Sequence, residues 1–479
     1  MTDERPDLVL FMTDQQRFDQ TGYASAGHFE TPVLDALAAD GATFERAQSA
    51  STTCVPARTS LLTGVAAHRV PVQADGFTLQ EGYWNVAYAL AQAGYETALV
   101  GKMHFHPMNG RHGFETMRTS EHLFPGDFTP QRIYHGEFDD YHETLVAHGL
   151  ADWRAHLNDE RGPGQPRRPY FPYDERFHPT EWVADEAIAR LERRDRSRPL
   201  FLVVSFPHPH EPHNPPERYG TMFDPADSIV PTDGFEVIEG LPAAFRQAFE
   251  TQEGPWGASR VRSEAHLRSS LAIVRGLVRQ IDDAMGRVLE AIDVDRSVVM
   301  FTSDHGDYAG HRGLMRKLPW VPFDDLARVP LVVRAPDVAP GLRPTSLVSS
   351  SDLALTCLDY AGVDVDPARF DSCSLRPVLT GATVGDPDRS LLISPNSGWP
   401  TVRRGALKLI TRSHPDHPGR ALFDLDLDPG ETEDVIDDPR YAEQRADLEH
   451  WLAAEMARPQ ADLPFVETLQ WMPAPVAAR

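Results

Sequence analysis

The sequence predicts an α/β fold: a large, mainly parallel sheet flanked by helices, followed by a small antiparallel sheet with one helix. Short, continuously apolar runs, typical of strands buried on both faces, alternate with amphipathic helical patterns through most of the chain. After residue 386 the strand-like runs follow one another across short turns instead. We therefore expect a large α/β domain over residues 1–385 and a small α+β subdomain with an extended tail over residues 386–479.

The elements can be placed from the pattern alone. Strands of the large sheet are predicted at residues 8–12, 97–100, 200–206, 298–302 and 331–333, and strands of the small sheet at 391–393, 401–404, 407–410 and 421–423, before a helix at 441–456. The clearest helix has six apolar residues spaced three and four apart on one face: Leu271, Val274, Val278, Ile281, Met285 and Val288. Residues 118–180 show no sustained period and predict an irregular lid or substrate wall.

Composition excludes several classes of protein. With 479 residues and 41% hydrophobic residues, the chain can bury a sizeable core. A net charge of −25 makes nucleic acid and anionic membranes poor partners. No run approaches the roughly 18 apolar residues of a membrane helix, the N-terminal stretch is acidic, and three cysteines make no disulfide framework. These features favour a cytoplasmic location.

Four predicted strands each end in residues that can bind a metal or transfer a proton. In chain order these residues are Asp14 and Gln15, Lys102 and His104, His210, and Asp304 and His305. The carboxyl ends of parallel strands meet at one edge of a sheet, where ligands bind in such folds. We therefore expect these side chains to form one site.

Two of these strand ends predict a metal site. An aspartate after a strand is commonly a turn or cap residue. Asp14, Gln15, Asp304 and His305 together, however, offer three oxygen-type ligands and one imidazole. Oxygen ligands suit Ca²⁺, Mg²⁺ or Mn²⁺, and an imidazole shifts the preference toward Mn²⁺.

Cys54 is the candidate nucleophile. It lies in a turn before a predicted short helix, and Arg58 follows one helical turn later. A helix N-terminus and a neighbouring arginine both favour the thiolate over the thiol. The structural alternative is a buried, unreactive cysteine.

The segment Cys54-x-Pro56-x-Arg58, continued by Leu-Leu-Thr-Gly, resembles the signature of the type I sulfatases of the alkaline-phosphatase superfamily. The resemblance implies an alkaline-phosphatase-like fold. It also implies that a maturation enzyme oxidises Cys54 to formylglycine, whose hydrate is the nucleophile and contacts one divalent cation. The Asp14-Gln15 and Asp304-His305 pairs resemble those of choline-sulfatase-like enzymes and phosphonate monoester hydrolases.

The same resemblance assigns roles to further residues. Gly-Lys102-x-His104 is similar to the family's Gly-Lys-x-His, in which the lysine binds sulfate oxygens and the histidine helps to eliminate sulfate. On an extended segment both side chains would face the same side. His210, in Pro-His-x-Pro, is implied to protonate the leaving alcohol, and Lys317 to be a second sulfate-contacting lysine. Arg58 supports the position of the nucleophile, and His311 is a weaker substrate-binding candidate.

The expected reaction is hydrolysis of an aryl or alkyl sulfate monoester to an alcohol and inorganic sulfate. The first alternative is a phosphonate monoester or phosphodiester hydrolase that uses the same site. Choline sulfate is a minor alternative, because a quaternary ammonium needs an aromatic cage or a carboxylate. Residues 118–180 offer such groups: Phe124, Phe128, Tyr134, Phe138, Asp127, Asp139 and Asp140. A binding protein that has lost catalysis would not need all six of the following residues: Cys54, Lys102, His104, His210, Asp304 and Lys317. The sequence is also compatible with a homo-oligomer.

Overall fold

The computed structural model describes residues 5–70, 72, 79, 81–105, 110–121, 139–151, 170–250, 259–261 and 263–463. Among these residues, no helix combines the length and apolar character that crossing a membrane requires.

The central sheet confirms the predicted mainly parallel arrangement. The strands are β1 (Asp7–Asp14), β2 (Ala42–Thr43), β3 (Ala47–Gln48), β4 (Glu96–Gly101), β5 (Thr116–Thr119), β6 (Leu200–Pro209), β7 (Ser259–Arg260), β8 (Ser297–Ser303), β9 (Leu314–Met315), β10 (Leu331–Arg334), β11 (Val348–Ser349), β12 (Ser390–Ile393), β13 (Thr401–Arg404), β14 (Leu407–Arg412) and β15 (Gly419–Asp424). Seven of them form one sheet in the order β2-β10-β8-β1-β6-β4-β5. Strand β10 is antiparallel to both β8 and β2, and the remaining pairs are parallel.

Helices cover both faces of this sheet. In the described residues the α-helices are Pro32–Asp40, Cys54–Thr63, Val86–Gln92, Asp140–Ala147, Pro179–Arg193, Glu217–Gly220, Glu236–Gly240, Ala243–Glu250, Glu264–Leu289, Asp324–Ala327, Asp352–Tyr360, Arg376–Leu379 and Ala442–Met456. Short 3₁₀ helices lie at Ala67–Arg69, Glu175–Phe177, Pro225–Asp227, Val294–Arg296, His311–Gly313, Pro367–Arg369 and Pro439–Tyr441. The predicted apolar face of Glu264–Leu289 is confirmed, since all six of its residues are buried.

Strand β1 shows why the apolar runs predicted buried strands. Leu8 and Leu10 pack on one face of the sheet, into the core that includes the helices Cys54–Thr63 and Asp352–Tyr360. Val9 and Phe11 pack on the other face, against Pro179–Arg193 and Glu264–Leu289. Because successive strand residues point to opposite faces, a strand covered on both sides must be apolar at every position.

The C-terminal sheet is also confirmed. Strands β12 to β15 form an antiparallel meander. One face of it packs against the helix Ala442–Met456, and the other packs against residues 238–249 and 308–326, where Phe245 contacts Trp399. The domain boundary near residue 386 stays a prediction.

The expectation of an irregular segment at 118–180 is wrong in part. The described residues contain the helix Asp140–Ala147 and the start of Pro179–Arg193. The helix Asp140–Ala147 buries only Tyr141 and Leu145, one turn apart, which is too short a repeat to stand out as a period. Phe124, Asp127, Phe128, Tyr134 and Phe138 lie outside the described residues.

Candidate active site

The ends of four strands meet at one edge of the sheet. Asp14 on β1 lies opposite Pro209 on β6, Gly101 on β4 lies opposite Ser205, and Thr13 lies opposite Ser303 on β8. Residues that follow these positions therefore converge. This is the geometry that the sequence predicted from the carboxyl ends of parallel strands.

Four of the proposed metal ligands form one buried group, which we call the metal group. Asp14, Cys54, Asp304 and His305 each offer a ligand atom, and these atoms all lie within 4.8 Å of one another. Gln15 adjoins the group, since its backbone N–H donates to Asp304 Oδ1 at 3.0 Å.

The chemistry of this group fits a divalent cation. Asp14 Oδ1 and Gln15 Oε1 are buried, and neither has a hydrogen-bond partner among the described residues. Buried polar atoms are normally satisfied, so such oxygens indicate a ligand. His305 Nδ1 lies 2.9 Å from the Gly306 carbonyl, which can only accept, so the neutral ring has its lone pair on Nε2. Carboxylate, amide and imidazole donors together suit a hard or borderline divalent ion.

Cys54 lies close to three positively charged side chains, Arg58, Lys102 and Lys317. It is the first residue of the helix Cys54–Thr63, where the helix dipole adds partial positive charge, and it is completely buried. Its Sγ lies 2.8 Å from Lys317 Nζ and 3.2 Å from His305 Nε2. We call the charged side chains around Cys54 the Cys54 cluster; they are Asp14, Arg58, Lys102, Asp304 and Lys317. Lys317 belongs to this cluster although it lies 263 residues from Cys54.

Arg58 acts on the carboxylates of the cluster. Its guanidinium is buried and donates to Asp304 Oδ2 at 2.9 Å and to Asp14 Oδ2 at 3.1 Å. A third hydrogen bond, 2.7 Å long, reaches the Lys102 carbonyl. Arg58 thus fixes two of the candidate metal ligands and the segment that carries Lys102.

Lys102 and Asp14 are paired inside the protein, with Nζ 2.5 Å from Oδ2. Burial opposes the charged form of both, but the opposite charges outweigh it: the pKa of Lys102 is raised, mainly by Asp14. The pKa of Asp14 is held well below its usual range by Lys102, His210, Arg58 and Lys317. Three cations (Arg58, Lys102 and Lys317) therefore surround two carboxylates (Asp14 and Asp304).

His104 is buried beside Lys102, but the expected extended segment is wrong at this residue. Its φ of +65° is a left-handed backbone conformation, which non-glycine residues rarely adopt. Glu121 holds the turn, because its Oε1 accepts from the N–H groups of Met103 at 2.9 Å and His104 at 2.8 Å. Burial, with the charges of Lys102 and Arg58, sets the pKa of His104 well below its usual value. Sequence reasoning missed Glu121, whose only local signal is its place just after a strand.

His210 lies next to the metal group. Its backbone N–H donates to the Asp14 carbonyl at 3.1 Å, and its Nδ1 donates to the Glu211 carbonyl at 2.6 Å. In the neutral ring, Nδ1 therefore carries the proton and Nε2 carries the lone pair. Burial lowers the pKa of His210 to about 4, although Glu211 and Asp14 oppose this change.

The contacts of His311 lie outside the group around Cys54, and its role in substrate binding stays a prediction. Its Nδ1 lies 2.9 Å from Asp233 and 3.8 Å from Asp325. The residue opens a short 3₁₀ helix after Gly310, and this turn directs the imidazole to those two carboxylates. Asp139 and Asp140 are likewise committed elsewhere, because they accept from backbone N–H groups and from Arg118.

This fold, with Cys54 beside a buried group of candidate metal ligands, is that of a hydrolase of the alkaline-phosphatase superfamily. The family model for sulfatases matches residues 6–363, so the chain belongs to the sulfatase family and is a sulfuric ester hydrolase.

Characterised relatives cover almost the whole chain. A choline-sulfatase of Rhizobium meliloti (strain 1021) is 29% identical over 464 residues, covering 94% of this chain and 86% of the relative. An arylsulfatase of Clostridium perfringens is 28% identical, covering 92% of each. The solved structure of a phosphonate monoester hydrolase from Silicibacter pomeroyi superposes with a TM-score of 0.77 at 24% identity, covering 96% of each chain. This last likeness shows the fold.

Proposed function

We propose that the protein hydrolyses a sulfate monoester of a small aryl or alkyl alcohol, with formylglycine formed from Cys54 as the nucleophile. The observation that carries the proposal is the contact of Cys54 Sγ with Lys317 Nζ at 2.8 Å, beside the metal group. A lysine this close would contact oxygens of a group transferred to position 54. The partners are then the sulfate ester and a formylglycine-generating maturation enzyme.

The charge of the cluster supports an anionic substrate. Arg58, Lys102 and Lys317 place three cations near Cys54 within a chain of net charge −25, and a divalent cation would increase the local positive charge. In a site of low dielectric constant these charges interact more strongly with an anion, because little water screens them.

Asp14, Gln15, Asp304 and His305, with the group at position 54, would hold one divalent ion, and Ca²⁺, Mn²⁺ and Mg²⁺ are its candidates. When bound, the ion would make a hydroxyl of the formylglycine hydrate more acidic and therefore a better nucleophile toward sulfur. Arg58 keeps the carboxylates in place. Lys102 and Lys317 stabilise the charge that spreads over the oxygens of the transferred group.

The histidines handle the protons. Burial holds the pKa of His210 at about 4, so it is neutral in the empty site at neutral pH. The negative charge of a bound ester favours its protonation, after which Nε2 gives the proton to the leaving oxygen. His104, kept neutral by its buried and positive surroundings, serves as the base during the release of sulfate.

A phosphonate monoester or phosphodiester hydrolase is the second candidate, favoured by the Asp14-Gln15 and Asp304-His305 pairs noted above. Sulfate and phosphonate monoesters are both singly charged, so the charge of the cluster does not separate them. Choline sulfate is retained as a test substrate because of the choline-sulfatase relative.

The test combines mass spectrometry with kinetics. The protein is produced with and without a formylglycine-generating enzyme, and the tryptic peptide 47–58 is sequenced by tandem mass spectrometry. Rates are then measured on 4-nitrophenyl sulfate, choline sulfate and a matched 4-nitrophenyl phosphonate ester, with each of the three metals. An aldehyde at position 54 that rises in step with sulfate turnover supports the proposal. Full activity with an unmodified thiol refutes it, and a preference for the phosphonate ester selects the second candidate.

A further inference from the structure

The orientation of the Gln15 side-chain amide follows from its contacts. Its Nε2 donates to Asp307 Oδ2 at 2.5 Å and to Glu211 Oε2 at 3.0 Å. An ionised carboxylate only accepts hydrogen bonds, so the nitrogen of the amide must face these two groups. The oxygen Oε1 must then point away from them.

This oxygen is buried and has no hydrogen-bond partner among the described residues. The backbone N–H of the same residue bonds Asp304, a member of the metal group, which keeps Gln15 beside that group. Gln15 also has a φ of +68°, so its backbone has left the β conformation of the preceding strand. A strained, buried residue with an unsatisfied oxygen at this place fits a metal ligand.

The two carboxylates that hold the amide are themselves anchored. Asp307 Oδ1 accepts from the backbone N–H groups of Ala309 at 2.6 Å and Arg316 at 3.0 Å. The Arg316 guanidinium pairs with Glu211 at 3.1 Å. Because Arg316 precedes Lys317, this network connects the amide of Gln15 to the lysine that contacts Cys54.

We propose that Asp307 and Glu211 are positioning residues that hold the side-chain oxygen of Gln15 toward the divalent cation. The inference rests on the metal site of the proposed function. It also explains why an amide stands at position 15, since a carboxylate there would face two other carboxylates. Mutation of residues that hydrogen-bond to metal ligands commonly lowers metal affinity by about 10- to 100-fold.

The test is a double-mutant cycle read by metal affinity. Asp307→Asn turns an N–H₂ group toward Gln15 Nε2, so we expect the amide to flip and the affinity for Mn²⁺ and Ca²⁺ to fall by roughly 10- to 100-fold. Gln15→Glu alone also weakens binding through repulsion from Asp307 and Glu211. In the double variant, the new carboxylate can accept from Asn at position 307 and still offer an oxygen, so we expect affinity within a few-fold of wild type.

Affinities are measured by isothermal titration calorimetry on the chelator-treated full chain, and circular dichroism confirms that each variant is folded. Asp233→Asn is the matched control, because Asp233 pairs with His311 outside the metal group. Wild-type affinity in Asp307→Asn, or a double variant no better than the single ones, overturns the inference and leaves the proposed function standing. A wild-type chain that binds no divalent ion refutes the metal site of the proposed function, and the inference with it.

Discussion

The chain has only three lysines, and they are divided between two clusters of charged side chains. Lys102 and Lys317 belong to the cluster around Cys54 at the carboxyl edge of the large sheet. Lys408 belongs to a second cluster between the small sheet and the large domain, which we call the Lys408 cluster. Its members are Arg312, Asp324, Asp325, Arg403, Lys408 and Glu431.

The Lys408 cluster is balanced. Lys408 Nζ lies 2.8 Å from Asp324 and 2.9 Å from Glu431, and it is completely buried. Arg403 pairs with Asp324 at 3.1 Å. Arg312 pairs with Asp325 on the other side of the cluster. Each side chain of the cluster therefore has an oppositely charged partner.

The Cys54 cluster differs from it, because two of its buried oxygens, Asp14 Oδ1 and Gln15 Oε1, have no hydrogen-bond partner in the described residues. Buried charges cost free energy unless they are paired. We infer that a closed cluster, in which every side chain is paired, joins two parts of the fold. An open cluster, in which some oxygens lack partners, is instead arranged to bind a cation and an anion.

The largest expected effect separates two buried cysteines. Cys54→Ala removes the nucleophile, so we expect turnover to fall to background while the unfolding transition stays close to wild type. Cys357 packs in the core, where burial raises its pKa to about 12 and keeps it unreactive. Cys357→Ala should keep wild-type kcat and lose about 1 kcal/mol of stability. Turnover assays and denaturant unfolding measure both, and residual turnover in Cys54→Ala would contradict the assigned nucleophile.

The next effect contrasts two lysines. Lys317→Met removes a charge from an open cluster, so we expect kcat/KM to fall roughly 100- to 1,000-fold without loss of stability. Lys408→Met leaves Asp324 and Glu431 without their shared cation. We expect this variant to lose about 3–5 kcal/mol of unfolding free energy. Its folded molecules should turn over substrate normally.

Both lysine variants are measured by urea unfolding and by steady-state kinetics at a temperature where each is folded. If Lys317→Met loses as much stability as Lys408→Met, the distinction between an open and a closed cluster is wrong.

A smaller effect is expected at Glu121, which holds the turn of His104. Glu121→Ala removes the acceptor of two backbone N–H groups, and the resulting displacement of His104 should lower kcat by up to about 100-fold with little change in KM. Glu121→Gln keeps a carbonyl acceptor and should recover most of the rate. Steady-state kinetics on the three proteins gives the split between kcat and KM. An equal loss in both variants would show that charge, not position, is what Glu121 contributes.

The smallest effect concerns a buried neutral group, His178. Its ring stacks on His208, and burial lowers its pKa to about 3. The unfolded chain therefore binds a proton near pH 6.5 that the folded chain does not, so stability is present above that pH and is lost as the pH falls. From pH 7.5 to pH 5.5 this group should cost about 1.4 kcal/mol.

His178→Asn should remove that loss, because asparagine can still accept the N–H of Thr180 at the helix start. Denaturant unfolding at the two pH values measures it. Asp14 and Asp324 should contribute little to the change in stability in this window, since their pKa values are held below the usual range. A variant as acid-sensitive as wild type would assign the loss to other groups.

The sequence predicts features that depend on local pattern. The apolar run before Asp14 makes a strand wherever it packs, and the four strand ends meet because the sheet is parallel there. Features that depend on distant partners could not be predicted. The amide of Gln15 is oriented by Glu211 and Asp307, 196 and 292 residues away. The contact of His311 with Asp233 is another such feature, because Asp233 carries no motif. Lys408 was missed for the same reason, since Asp324 lies 84 residues away.

Lysine-selective NMR can show directly whether Lys102 and Lys317, but not Lys408, contact a bound anion, because three lysines give three signals. The chain is labelled with ¹³C at lysine Cε, the signals are assigned with Lys102→Arg, Lys317→Arg and Lys408→Arg, and inorganic sulfate is titrated in with Ca²⁺ present. Sodium chloride at matched ionic strength is the control. We expect saturable shifts of the Lys102 and Lys317 signals, with the Lys408 signal unchanged. Equal shifts of all three signals, or none at Lys317, would contradict it.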